Sequence, residues 1–115
     1  MKEPRQAQDA LPSIVHVQLQ KLGRDIAIAR KRRRLSMRNM AERMMVSLET
    51  VQRLEKGDPS VGIGKIAAAL WILGLHRRIG ELVSPENDPI GLQEDIKRMP
   101  RDFREHKKKR EDYDF

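Results

Sequence analysis

Two short apolar repeats, each opened by a serine and separated by only three residues, limit what this chain can fold into more than any other feature. Met37, Met40, Ala41 and Met44 recur at i, i+3, i+4 and i+7 behind Ser36, and Val51 and Leu54 follow Ser47. The recurrence marks one face of a helix. A serine ahead of it is a good N-cap, because its side-chain oxygen accepts a hydrogen bond from a free N–H of the first turn. Each helix has room for about two turns, and helices shorter than about 12 residues are marginal alone in water. They must pack on each other and on longer neighbours, and Gly57 has the position and residue type of a stop for the second.

The neighbours are legible by the same period. Val15, Leu19, Leu22, Ile26 and Ala29 predict a helix that ends near the basic run Arg30 to Arg34. Val15, Val17 and Leu19 also alternate with polar residues, so 14–20 has an extended reading beside the favoured helical one. Asp58, Pro59 and Ser60 make a turn. Ile63, Ile66, Ala67, Leu70 and Leu73 predict a fourth helix that stops at Gly74, and Leu75, Ile79 and Leu82 a fifth that ends before Pro85. Beyond Ser84 the chain is charged and poor in apolar residues, and reads as a tail too polar to order itself. Leu92, Ile96 and Met99 allow one short helix within it. The expected organisation is a flexible N-terminus over 1–13, a helical domain over 14–83 and a charged, largely disordered tail over 84–115.

Charge narrows the partner. The 24 Lys and Arg exceed the 17 Asp and Glu by seven, and Lys21 to Lys65 alone holds twelve basic against five acidic residues, so the whole excess sits there. Such clustering is the footprint of a polyanion-binding surface, with a solvated helix face as the plainer alternative. Single-strand and most RNA binders stack bases on aromatic side chains. Three of the four aromatics, Phe103, Tyr113 and Phe115, are in the tail, and Trp71 is inside an apolar run. Duplex DNA is the better partner.

Other chemistries find little support. His16, His76 and His106 lack metal-ligand spacing, and Gly62-Ile63-Gly64 has no phosphate-loop Lys-Ser/Thr pair after it. No serine sits in a Gly-x-Ser-x-Gly turn. The methionines of 37–45 suit core packing better than a soft metal. No enzyme activity, cofactor or metal is expected. With no Cys, no apolar run of about 18 residues and no apolar leader in the first residues, the expectation is a cytoplasmic, nucleoid-associated protein outside the membrane.

Two short helices joined by Met44, Met45 and Val46, the second with a polar outer face, meet the requirements of a helix-turn-helix. The stretch LSMRNMAERMMVSLETVQRLEKG, Leu35 to Gly57, resembles the Cro/C1-type (XRE) DNA-binding family, matching it at Leu35, Ser36, Ala41, Glu42, Arg43, Val46, Ser47, Thr50, Val51, Arg53, Leu54, Glu55 and Gly57. The resemblance implies an all-α fold, a five-helix Cro/C1-type domain with a flexible charged C-terminal tail. It also implies an ion pair between Arg30 and Glu55, and base reading by Leu48, Glu49 and Arg53 with Ser47, Thr50 and Gln52 in support. Arg53 suits guanine, Glu49 cytosine N4 and Leu48 a thymine methyl. The competing partner for Arg53 on spacing is Glu49, one turn earlier. Lys31, Arg32, Arg33, Arg34, Ser36, Arg38, Arg43 and Lys56 are the phosphate-binding candidates. The chain departs from the family twice. Met45 replaces the usual turn glycine, which suggests a wider turn, and Met37 replaces a phosphate-binding glutamine.

The family dimerises to place two recognition helices about 34 Å apart, and Trp71, Ile72, Leu75, Ile79 and Leu82 are the candidate homodimer interface, completion of the monomer core being the alternative. The run Asp58 to Asp88, with its GDPS turn, LWILGL helix end and PEND segment, resembles HipB-like antitoxins that accompany HipA-like kinase toxins. That implies an autoregulating repressor that also binds a toxin, with Ile90, Leu92, Ile96, Met99 and Phe103 as toxin contacts. The alternatives are a stand-alone phage-type or restriction-modification controller, or chiefly a protein-interaction inhibitor.

Overall fold

The computed structural model describes residues 10–100, and these are helical with no strand among them. The chain divides into two units, one ending at Arg77 and one beginning at Arg78. The first holds α1 (Ser13–Arg32), α2 (Met37–Met44), α3 (Leu48–Glu55) and α4 (Ile63–Leu73).

Helix α1 is continuous through 14–20, so the helical reading holds there. The Pro12 carbonyl accepts from the N–H groups of Val15 and His16 and starts the helix. All four helices of this unit stop the same way. After α1, α2, α3 and α4, the residues Arg34, Met45, Gly57 and Gly74 turn left-handed at φ 55°, 58°, 74° and 77°, and the following N–H groups close onto carbonyls of the last turn.

Ile26, Met40, Ala41, Met44, Val51, Leu54, Val61, Ala69 and Leu73 form the core, with Leu22, Ala29, Leu35, Met37, Val46, Ile66, Leu70, Ile72 and Leu75 packed against it. Met40 and Met44 fill it with unbranched, adaptable side chains, whereas Met45 is 91 % exposed.

Backbone contact, which apolar periodicity cannot reveal, joins α1 to the end of α3. A Cβ on the buried Gly23 would lie 2.5 Å from the Glu55 carbonyl oxygen, and one on Gly57 would lie 2.5 Å from the Leu19 carbonyl oxygen. Both positions admit only glycine, and Gly57 also has φ 74°.

Beyond α4 the chain departs from expectation. In place of a fifth α-helix, a 3-10 helix occupies His76–Glu81. Only ten residues separate Gly74 from Pro85, Gly80 interrupts them, and His76, Arg77 and Arg78 crowd positive charge at the start, where a helix dipole disfavours it. The segment past Ser84 also carries more helix than the one short stretch expected in a tail. A 3-10 turn at Pro85–Asn87 leads into α5 (Pro89–Arg98), and the Asp88 carboxylate caps α5 by accepting from the Gly91 N–H at 2.9 Å. Asp88 as N-cap and Pro89 at the first helical position are a strong start signal. Apolar spacing alone began the helix three residues late. Phe103, and the segments 1–9 and 101–115 of the expected termini, lie outside the described residues.

Candidate nucleic-acid interface

The α2-turn-α3 unit is built from its caps inward. Ser36 Oγ accepts from the Asn39 N–H at 3.0 Å, and Ser47 Oγ accepts from the Thr50 N–H at 3.2 Å. Between the helices the Met45 N–H donates to the Glu42 carbonyl and the Val46 N–H to the Ala41 carbonyl, at 3.1 and 3.0 Å. The turn is therefore as tight as a glycine turn. The wider turn expected from Met45 does not form, because Met45 itself takes the left-handed conformation at φ 58°.

One ion pair fixes α3 from beneath. Arg30 Nε donates to Glu55 Oε2 at 2.7 Å, Nη2 to Oε1 at 3.0 Å and Nη1 to the Leu35 carbonyl at 2.8 Å. Both residues are buried, at 5 % and 8 % exposure. The hydrogen bonds that Arg30 donates to Glu55 hold its pKa above the ordinary value against the opposing effect of burial. Removing one partner would strand a buried charge, at a cost of about 3 to 5 kcal/mol. The pairing implied by the family resemblance is present, and it takes Arg30 out of the basic run.

With Val51, Leu54 and Glu55 buried, α3 turns its other side outward. Leu48, Glu49, Gln52 and Lys56 are exposed. Ser47 and Thr50 are committed to the cap, their hydroxyls 2.9 Å apart. Arg53 is committed as well, to Asp58 rather than to Glu49, the competing partner on spacing. Its Nε donates to Asp58 Oδ2 at 3.1 Å and its Nη2 donates to Ser60 Oγ, while the Ser60 N–H and hydroxyl donate to Asp58 Oδ1 at 2.9 and 2.7 Å. Those two bonds from Ser60, and then Arg53, hold the Asp58 carboxyl down at about 2. An aspartate bonding the backbone two residues on is ordinary turn chemistry. Spacing within one helix could not reveal the ring, because Asp58 and Ser60 lie past the helix stop.

The cations fall into two groups. Arg33 donates back to the Ala29 carbonyl at 2.8 Å. Lys31, Arg32, Arg34, Arg38, Arg43 and Lys56 are exposed and form no ion pair among the described residues. Ser36 shares its site with the α2 N-terminus, where the Met37 and Arg38 N–H groups precede the first intrahelical bond.

The candidate dimer residues separate by burial. Ile72 and Leu75 are half-buried against the core, Trp71 is 66 % exposed, Ile79 is half-buried and Leu82 exposed. Among the described residues no three His, Asp or Glu side chains cluster to hold a metal, and no helix is long and apolar enough to cross a membrane. Comparison with protein families, with curated proteins and with solved structures returns no match to this chain.

Proposed function

We propose that this chain is a sequence-specific, duplex-DNA-binding repressor that acts as a homodimer. The observation that supports it best is a short, doubly capped helix held by a buried ion pair, with its polar side exposed and six cations on the elements around it that pair with no acid among the described residues. Lys31, Arg32 and Arg34 at the end of α1, Arg38 and Arg43 on α2 and Lys56 after α3 supply phosphate contacts, which set affinity without reading sequence. Leu48, Glu49 and Gln52 are free to meet base edges in the major groove. Arg53 joins them from its ring.

One such unit contacts few base pairs, and a second copy supplies the other half-site. Trp71 is the exposed apolar anchor for that contact. Within this reading the chain is the antitoxin of a HipA-like kinase and represses its own operon. The exposed Ile90 and Leu92 on α5 favour a protein-binding role beside the DNA-binding one, since an amphipathic helix without a buried residue presents its apolar side to a partner.

Footprinting on the DNA upstream of the gene tests the reading. A protected, two-fold symmetric site that survives competitor DNA at moderate salt is the expected result; equal binding to all fragments, or none, overturns it. Sedimentation showing only monomer at micromolar concentration removes the dimer.

A further inference from the structure

Arg53, Asp58 and Ser60 close a ring of hydrogen bonds at the C-terminal end of α3. Arg53 spends Nε–H and one Nη2–H on it. A guanidinium carries five N–H donors, so among the described residues both Nη1 hydrogens and the second Nη2 hydrogen stay unused. One of the Nη1 hydrogens and the second Nη2 hydrogen make up its end-on edge, whose spacing matches the O6 and N7 acceptors of guanine. The side chain is 40 % exposed even though it is held. An unrestrained arginine must give up much rotamer freedom when it binds. Here the freedom is already lost before DNA arrives.

Resting on the DNA-reading role above, we propose that Asp58 and Ser60 are positioning residues that present the outer edge of Arg53 to a guanine in the major groove. Asp58 anchors the Nε side through its charge. Ser60 locks Asp58 by donating from both its N–H and its hydroxyl, and accepts from Arg53 in turn. Together they turn a flexible cation into a fixed two-pronged reader.

The test uses the full chain. The preferred duplex is selected from a randomised pool, and binding to every single-base replacement of it is measured for wild type, Arg53→Ala, Asp58→Asn, Ser60→Ala and Ser60→Thr. Wild type should lose about tenfold or more in affinity when one particular G·C pair is replaced, and Arg53→Ala should be indifferent to that replacement. Asp58→Asn and Ser60→Ala should shrink the penalty to about threefold or less, with the salt dependence unchanged, while Ser60→Thr keeps it by keeping the hydroxyl. If Asp58→Asn and Ser60→Ala melt earlier but retain the full penalty, the ring only ties the loop to the helix and the proposal is overturned. A sequence-preferring wild type whose base profile Arg53→Ala leaves intact also overturns it and leaves the repressor reading standing. A wild type without sequence preference overturns both.

Discussion

Met45 shows at the scale of one residue how a turn can be geometrically ordinary and energetically poor. Its left-handed backbone costs a non-glycine residue about 1 to 2 kcal/mol, and its side chain recovers nothing by burial, being 91 % exposed. Met45→Gly is expected to raise unfolding free energy by about 1 kcal/mol, part of the gain being offset by the freer unfolded chain. Chemical denaturation would read the change as a higher midpoint at constant slope. Asp58 gives a prediction of opposite character. Its carboxyl sits at about 2 in the folded protein against an ordinary 3.8. A depressed folded-state pKa contributes stability that is complete above the ordinary value and is lost as pH falls through the folded one. The melting difference between wild type and Asp58→Asn should therefore be constant above pH of about 4 and shrink between about 3.8 and about 2.

Elements in this fold are held by caps and by close approach more than by intrinsic preference. Helices α2 and α3 have eight residues each, too few to persist alone. They are held by the Ser36 and Ser47 caps, the Arg30–Glu55 pair, and the glycine contact of α1 with the end of α3. That contact is the strictest point. Glycine inside a helix costs roughly 1 kcal/mol relative to alanine, yet at Gly23 the preference should reverse, because a Cβ there would meet backbone atoms that cannot step aside. Gly23→Ala is expected to destabilise by about 2 kcal/mol or more through overpacking, with thermal melting as the readout. An unchanged or higher melting temperature would show that α1 shifts freely over α3. Sequence periodicity could not anticipate this contact, since a glycine leaves no apolar signature. Nor could the spacing of Leu75, Ile79 and Leu82 distinguish an α-helix from the 3-10 helix observed, because it carries no record of Gly80 or of the three basic residues at the start.

Across the molecule the charge asymmetry resolves into parts with separate duties. Of the basic residues between Lys21 and Lys65, Arg30 is structural, Arg53 is held in a ring, Lys21 pairs with Asp25 at 2.6 Å, and six cations around α2 and α3 remain unpaired among the described residues. If all six meet phosphates, the logarithm of the binding constant should fall with the logarithm of salt at a slope of about −5 per protomer. Arg38→Ala should flatten that slope by about 1 while weakening all sequences evenly. A slope near zero would mean that these cations are only a solvated surface.

The order of the four helices, both serine caps, the stops at Gly57 and Gly74 and most of the core were determined by the sequence itself. Each is a local property, read from the period of apolar residues and from residue types that suit a helix end. Tertiary structure alone decided that Met45 would bear a glycine's conformation and that Arg53 would turn to Asp58 and Ser60. Those outcomes depend on which groups meet once the helices have packed, and residues distant in the chain or beyond a helix end share no period that could announce the meeting.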